Sequence, residues 1–153
     1  MRFTILFFAA CFALYGCANS SDAQPQEEKI EEKYPSGQPK RVSYFDLATK
    51  ELVTTKDLYQ NSKTYREFHF KSGLRNGECK AFYENGNPWS INNYVNDTLN
   101  GAYKTYHENG QVYISGEYEM GLRAGVWQFF NPQGQLLKEV SFIGLPDSLR
   151  ADK

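Results

Sequence analysis

The sequence predicts an all-β protein, an elongated antiparallel meander of about five β-hairpin repeats in a single-sheet array. Glycines that open three similar segments recur every 24 residues, at Gly77, Gly101 and Gly125. The glycines of the turns keep the same interval, at positions 86, 110 and 134. Such self-similarity at a fixed period is typical of repeat arrays. Aromatic residues make up 16% of the 153-residue chain, a proportion that favours strands over helices.

Residues 1–16 are predicted to be a lipoprotein signal peptide. A basic Met1-Arg2 start precedes an apolar run over residues 3–14, which is too short to span a membrane comfortably. The run ends in Leu14-Tyr15-Gly16-Cys17, which resembles the lipobox of bacterial lipoproteins, although Tyr15 stands where a small residue is usual. The resemblance implies a lipidated Cys17, with palmitate-type acyl chains that anchor the protein to the inner or outer membrane of the envelope.

The alternative is ordinary signal cleavage after Ala18 or Ala23, which would leave a soluble secreted protein. In either case, residues 17–33 contain one large apolar residue, Ile30, and are therefore predicted to form a flexible tether. The charge run over residues 27–33 is interpreted as part of this solvated tether, with a helical turn or two as the alternative.

Residues 34–143 are predicted to form the repeat domain. In its third unit, residues 78–83 and 89–95 are the strands of a hairpin. Asn85-Gly86 and Asn109-Gly110 predict two-residue type I′ turns, because Asn and Gly both tolerate positive φ. Longer links over residues 96–100 and 120–124 are expected to join the hairpins. The first two units, around residues 34–38 and 59–63, are degenerate, and residues 144–153 are interpreted as a tail that caps one edge.

Aromatic residues recur in columns through the units. Cys79, Tyr103 and Trp127 follow the leading glycine by two residues, and Phe82, Tyr106 and Phe130 follow it by five. A further column falls eight residues after the turn glycine and contains Phe45, Phe70, Tyr94, Tyr118 and Phe142. The first two columns have opposite parity along the strand. Either both faces of the sheet carry aromatic residues, or a bulge lies between the columns.

The recurring pattern of Gly, Tyr or Trp, Phe or Tyr, and Gly, with Asn-Gly turns, resembles the MORN repeat. It is most similar to the bacterial MORN-repeat-variant family, often labelled YwqK-like antitoxin proteins. The resemblance covers residues 34–143 and implies a hairpin scaffold without catalytic residues. Because such scaffolds serve unrelated tasks, the resemblance indicates the fold more strongly than the activity.

No catalytic, metal-binding or cofactor-binding constellation is predicted. Cys79 occupies a column of large core-type residues and is interpreted as a small buried residue that does not react. His69 and His107 fall in different columns and do not form the closely spaced ligand pairs of a zinc site. Glu84 and Glu108 recur as turn residues and are therefore not read as a glycosidase-like carboxylate pair.

The predicted function is non-enzymatic protein–protein interaction in the bacterial envelope, through exposed repeat columns. The candidate binding residues are Tyr103, Trp127, Tyr106, Lys80 and Lys104. The alternative is an antitoxin or immunity protein that neutralises a partner toxin. The formal net charge of −1 argues against a nucleic-acid partner and against lipid headgroups at Lys80 and Lys104. Self-association is also open, and an enzyme that acts on cell-wall glycan finds no support in the sequence.

The lipobox resemblance makes a direct prediction. Mass spectrometry of the mature N-terminus is expected to show a lipid-modified Cys17, because the thiol at this position is the acceptor in lipoproteins. An unmodified peptide that spans residues 15–19 in the mature protein would exclude the anchor.

Overall fold

The computed structural model describes residues 25–143, and these residues form one open antiparallel sheet. The strands are β1 (Gln26–Lys33), β2 (Pro39–Asp46), β3 (Leu52–Leu58), β4 (Thr64–Lys71), β5 (Leu74–Arg75), β6 (Gly77–Phe82), β7 (Pro88–Val95), β8 (Thr98–Tyr106), β9 (Val112–Glu119), β10 (Leu122–Phe130) and β11 (Leu136–Ile143). The predicted all-β meander is confirmed.

Each strand pairs with its neighbours along the chain, so the strand order follows the sequence order. The short β5 is the one departure from this path, because it pairs with β4 alone. Strands β5 and β6 together occupy the place that β8 and β10 fill as single strands one and two repeats later. Hairpin contacts are local, and each strand depends on its immediate neighbours, as in other quasi-one-dimensional arrays.

The connections at the two ends of the strands differ. Three-residue loops lie at one end, and at the other end lie two-residue turns together with a longer link over residues 47–51 between β2 and β3. One edge carries three-residue loops and is named here the loop edge. Its third loop is Glu84-Asn85-Gly86, closed by hydrogen bonds from Gly86 N to Tyr83 O (2.9 Å) and from Tyr83 N to Asn87 O (2.8 Å). The other edge carries two-residue turns between β4 and β5, β7 and β8, and β9 and β10, and is named here the turn edge.

The predicted type I′ turns at Asn85-Gly86 and Asn109-Gly110 are wrong. Gly86 has a φ of +99°, but Asn85 is not among the residues with positive φ, so the loop is a turn followed by a glycine bulge. A separate register shift follows between Ala81 and Phe82, where Trp89 is skipped in the pairing of β6 with β7. Asn85 serves the loop through its side chain, whose Oδ1 accepts a hydrogen bond from Asn87 N (2.8 Å).

Two-residue turns with positive φ at both positions occur on the turn edge instead. Asn96 and Asp97 have φ values of +48° and +65°, and Met120 and Gly121 have +47° and +84°. These are the type I′ conformations that match the twist of paired strands. The longer links predicted over residues 96–100 and 120–124 are therefore wrong, because the strands continue almost to the turn on both sides.

The flexible tether predicted for residues 17–33 is wrong over its second half. Residues 26–33 form β1, which pairs with β2 from Gln26 opposite Asp46 to Lys33 opposite Pro39. All eight residues of β1 are exposed, so the strand carries no hydrophobic alternation by which a sequence would reveal it. Residues 1–24 and 144–153, and with them the signal-peptide, lipidation and tail predictions, lie outside the described residues.

Both faces of the sheet carry aromatic side chains, which decides between the two alternatives left open by the sequence. On the face named here the core face, Tyr103 packs against Tyr118 and Trp127 at ring distances of 5.3 and 5.2 Å. Phe130 lies on the opposite face, beside Lys104 and Ser115. Between residues 103 and 105, β8 keeps an unbroken register with both neighbours. A register shift follows between Thr105 and Tyr106, but its extra residue, Tyr113, lies on β9, so β8 itself alternates through both columns.

The leading glycines and the aromatic column after each turn glycine share one row of the core face. Gly101 lies directly opposite Tyr118, and Gly125 lies opposite Phe142. Gly101 has a φ of +100°, which a residue with a Cβ adopts only with strain. The glycine is therefore required by the backbone conformation and not by a lack of space, because a Cβ at this position would only contact Asn93 Cβ at 3.6 Å. The fully buried apolar residues of the described chain are few: Val42, Cys79, Ala81 and Trp127.

A ladder of side-chain hydrogen bonds ties each loop to the next repeat. The aromatic residue that opens a loop points its polar ring atom at the backbone carbonyl of the residue that precedes the next loop. The four pairs are Tyr34 Oη to Leu58 O (2.7 Å), Tyr59 Oη to Phe82 O (2.8 Å), Tyr83 Oη to Tyr106 O (2.8 Å) and His107 Nε2 to Phe130 O (2.9 Å). This set is named here the loop ladder.

A second set of rungs runs through the loop asparagines. Asn85 Nδ2 donates to Glu108 O (3.1 Å), and Asn109 Nδ2 donates to Pro132 O (2.7 Å). The same two side chains accept from backbone N–H groups within their own loops. Each asparagine therefore makes one hydrogen bond within its own loop and one to the next loop. The bond to the next loop is a role of the Asn-Gly dipeptide that the hairpin rule does not predict.

The loop ladder predicts the effect of a single-atom change. Tyr83→Phe removes the hydroxyl and leaves Tyr106 O without that donor, so we expect the free energy of unfolding to fall by about 1–2 kcal/mol. Urea unfolding followed by circular dichroism measures it. Tyr113→Phe is the matched control, because that ring is exposed, and an equal loss in both variants would contradict a specific role for the ladder.

Candidate interaction surface

The loop edge presents aromatic rings to solvent on a framework that the loop ladder fixes. Residues that open a loop pair with residues six positions later, just beyond the same loop. The resulting set, named here the aromatic stripe, consists of Tyr59, Tyr65, Tyr83, Trp89, His107 and Tyr113. Trp89 is 43% exposed and Tyr113 is 44% exposed. These exposed fractions are high for large aromatic rings, which are usually mostly buried.

Ring contacts hold the stripe together within and between repeats. Tyr59 and Tyr65 lie 5.0 Å apart, and His107 and Tyr113 lie 4.7 Å apart, each pair across its own loop. Trp89 lies 6.4 Å from Tyr65 with the ring planes within 13° of each other, and thereby joins the second unit to the third. Tilted and offset arrangements of this kind are the favoured ones for aromatic pairs.

Polar groups of the loops form a rim beside the rings. Lys63 Nζ donates to Glu84 O (3.0 Å), and Asn61 Nδ2 donates to Glu84 Oε1 (3.1 Å). In the next repeat, Asn87 Nδ2 donates to Glu108 O (2.8 Å). Apolar rings with a polar, hydrogen-bonded border are the usual composition of a protein-binding patch. Because these rim groups are already ordered, a partner would cost this surface little side-chain entropy.

The opening residues of the stripe are partly withdrawn from water. Burial is the largest cause that raises the pKa of the Tyr83 hydroxyl, with the Glu108 carboxylate as the second. Burial likewise raises the pKa of Tyr59. Both phenols are thus held in the neutral form, which keeps them as hydrogen-bond donors to the carbonyls of the loop ladder.

Trp127 was expected among the exposed binding residues, and that expectation is wrong. Its ring is 1% exposed and lies over Gly116, with Tyr118 at 5.1 Å and the Arg123 guanidinium 4.5 Å above it. The indole Nε1 donates to Glu117 O (3.2 Å). Gly116 supplies the space, because the strand has no side chain there. Trp127 is therefore the centre of the core face.

The other four predicted binding residues do not form one surface. Tyr103 lies on the core face, half-buried beside Trp127, and burial is the main cause that raises the pKa of its hydroxyl. Lys80, Lys104 and Tyr106 lie on the opposite face, since alternate residues of a strand point to opposite sides. Lys80 is held by Glu78, with 2.6 Å between Nζ and Oε1, which offsets its charge.

Cys79 is buried, as predicted. Its exposed fraction is 3%, and it occupies the same row as Tyr103 and Trp127. Burial raises the pKa of the thiol, because the thiolate would lose its hydration, and this outweighs the lowering effects of a backbone hydrogen bond at His69 and of Arg75. The thiol is thus kept in its less nucleophilic form.

Three polar side chains of the described chain, those of Thr54, His69 and Glu67, lie in the order of a nucleophile, a histidine and an acid, as in a catalytic triad. Thr54 Oγ1 lies 3.2 Å from His69 Nδ1, and His69 Nε2 lies 3.5 Å from Glu67 Oε1. Thr54 is buried against the sheet, and these residues lie in neighbouring rows of adjacent strands. Cross-strand pairing accounts for the contacts. Within residues 25–143, no three or more His, Cys, Asp or Glu side chains converge as metal ligands.

Trp89 and Tyr113 were missed by the sequence reasoning. The signal was present, since Tyr65, Trp89 and Tyr113 repeat at the same interval of 24 residues. The columns counted from the hairpin glycines do not include these three positions. Each of these three residues is the one skipped at a register shift just beyond its loop, so it has no directly opposite partner on the preceding strand.

Three consecutive stretches of the chain match the MORN repeat variant: residues 75–96, 99–120 and 123–143. These three matches correspond to the β5–β7, β8–β9 and β10–β11 segments. The structure extends the same hairpin geometry toward the N-terminus, through β1–β4, where the sequence pattern is degenerate.

Solved structures with some likeness include TarM, with 19% identity and a TM-score of 0.45 over 76% of this chain and 21% of that chain. Another is a mutant of S. aureus TarM in complex with fondaparinux, alpha-GlcNAc-glycerol and UDP, with 14% identity and a TM-score of 0.34 over 76% of this chain and 19% of that chain. The chain spans about a fifth of the length of these proteins. No curated protein matches the sequence.

No helix among residues 25–143 is long and apolar enough to cross a membrane.

The packing of Trp127 on Gly116 predicts a steep cost for one methyl group. In Gly116→Ala the new Cβ would lie 2.4 Å from the indole, so the ring must move, and we expect a loss of about 1–3 kcal/mol in the free energy of unfolding. Urea unfolding is the measurement. Glu117→Ala, at the exposed neighbouring position, is the control and should change little.

Proposed function

We propose that this protein is a non-enzymatic, membrane-anchored scaffold of the bacterial envelope that binds another protein through the aromatic stripe. The observation that carries the proposal is the exposure of Trp89 and Tyr113 on a loop edge held by the loop ladder. The anchor is the lipid on Cys17, which the lipobox resemblance supports. Each part can fail separately, since the stripe does not depend on the anchor.

The chemistry of the stripe fits a protein partner. Tryptophan and tyrosine are the residues most enriched where binding energy concentrates, because a rigid ring buries much area at little entropic cost. Trp89 and Tyr113 are equivalent positions of neighbouring repeats, so a partner segment laid along the array would meet a ring in each repeat. The ordered loop amides and carbonyls beside them offer hydrogen bonds that fix its position.

The charge of the surface agrees with this class of partner. The sequence has a formal net charge of −1, and surface lysines such as Lys80 and Lys56 lie beside glutamates. A nucleic acid or an anionic membrane surface requires a concentrated basic face. The described residues instead show paired charges across neighbouring strands, which are typical of a solvated sheet face.

A second candidate function is that of an antitoxin or immunity protein. It is supported by the resemblance to MORN-variant antitoxin proteins, and it uses the same surface. A lipid anchor limits the choice of toxin, because an exported protein meets only a toxin that acts outside the cytosol. The partner distinguishes the two functions: a toxin favours the second, and a resident envelope component favours the first.

Cross-linking in native membranes followed by purification tests the proposal. Trp89→Ala together with Tyr113→Ala is expected to reduce recovery of the partner at least tenfold, because loss of two anchor rings commonly costs more than about 2 kcal/mol of binding. Leu122→Ala is the matched control, since Leu122 is similarly exposed but lies on the turn edge. Unchanged recovery in the double variant, with unfolding midpoints preserved, would refute the role of the stripe.

A further inference from the structure

The sheet has two outer strands, β1 and β11, and the described residues pair each of them on one side only. An open strand edge presents unpaired N–H and C=O groups and is a template for another strand. Natural sheets therefore block such edges with charges, or use them. The two edges of this protein differ sharply in that respect.

The β1 edge is blocked against a second copy of itself. Its sequence is QEEKIEEK, with charges at six of eight positions. In a twofold antiparallel pairing, the residue at the centre lies opposite its own copy. Centring the pair on Lys29 or Glu31 places like charges together. Centring it on Ile30 places Glu28 opposite Glu32 of the second copy, although Lys29 then lies opposite Glu31 and Glu27 opposite Lys33. The protection of this edge therefore lies in its dense charge and scarcity of apolar residues, which disfavour burial against another strand.

The β11 edge lacks this protection. Its sequence is LLKEVSFI, with charges only at Lys138 and Glu139, and Leu137 is 66% exposed. Twofold pairing centred on Lys138 or Glu139 would oppose that charge to its own copy. Centring the pair on Val140 avoids this, because Glu139 then lies opposite Ser141 of the second copy and Lys138 opposite Phe142 of the second copy.

We propose that the outer edge of β11 pairs antiparallel with β11 of a second copy, in the register centred on Val140, so that two sheets join into one. A twofold axis perpendicular to the sheet relates the two copies, so their core faces lie on the same side of the joined sheet. The interface is isologous, because the same residues of both copies pair with each other. Val140 lies opposite Trp127 within one copy. The apolar row of the core face therefore continues from Trp127 through Val140 to the same two residues of the second copy.

A second copy fits this edge better than residues 144–153 of the same chain. That segment, GLPDSLRADK, contains Pro146, which cannot donate to a strand ladder, and it has four charges in its last seven residues. A second β11 instead offers a complete ladder over residues 137–143 with no like charges opposed. The resulting dimer would carry two aromatic stripes at opposite ends of the strands of the joined sheet, which goes beyond the proposed single-copy function.

The test uses the full chain in mild detergent. Native mass spectrometry is expected to show the dimer mass growing with concentration. Val140→Lys and Val140→Glu, measured separately, are each expected to shift the chain to the monomer, because the substituted residue faces its own copy. An equimolar mixture of the two is expected to restore a dimer that contains one of each. Val126→Lys is the matched control, since Val126 is exposed on the inner strand β10, and this variant should remain dimeric.

Hydrogen exchange of the unsubstituted chain gives a readout that does not depend on the variants. Amide exchange over residues 137–143 is expected to slow as concentration rises, whereas exchange in β1 is expected to stay constant. A monomer at every concentration overturns the proposal, as does a mixture that forms no heterodimer from folded variants. Open-ended oligomers, with slowing in β1 as well, would indicate β11-to-β1 pairing and also overturn it.

Discussion

A sheet without a second layer has to obtain its stability from contacts between neighbouring strands, and this constraint governs residues 25–143. Only four apolar residues in the described chain are fully buried, so no thick core holds the strands together. The loop ladder compensates along one edge, where each opening residue of a loop reaches the carbonyl before the next loop. Across the core face, rings pack over glycines, as Trp127 does over Gly116.

The same constraint explains why the surface is suited to binding. Rings that would enter the core of a two-layer protein stay partly exposed here, because nothing within residues 25–143 packs above them. On the core face they shield one another, as Tyr103, Tyr118 and Trp127 do. At the loop edge the ring contacts cover less of each ring, and Trp89 and Tyr113 remain open to solvent. Structure and proposed function thus share one cause.

The errors of the sequence-based predictions have identifiable physical causes. Asn85-Gly86 was assigned to a type I′ turn because the dipeptide is common there. The Asn85 side chain instead accepts a hydrogen bond within a three-residue loop and donates one to the next loop. The I′ turns use Asn96-Asp97 and Met120-Gly121, which the hairpin rule does not highlight in the same way. Strand β1 was missed because an exposed, charged edge strand lacks the apolar alternation that reveals a strand.

The sequence by itself determined the all-β class, the repeat interval, the burial of Cys79 and the row of glycines, because each follows from a period or a conformation that one residue type alone accepts. The tertiary structure decided which rings are buried and which are exposed. Trp127 and Trp89 are the same residue type on strands β10 and β7. Gly116 beneath Trp127, and the register shift that skips Trp89, separate core from surface. That distinction depends on cross-strand register, which a linear pattern does not contain.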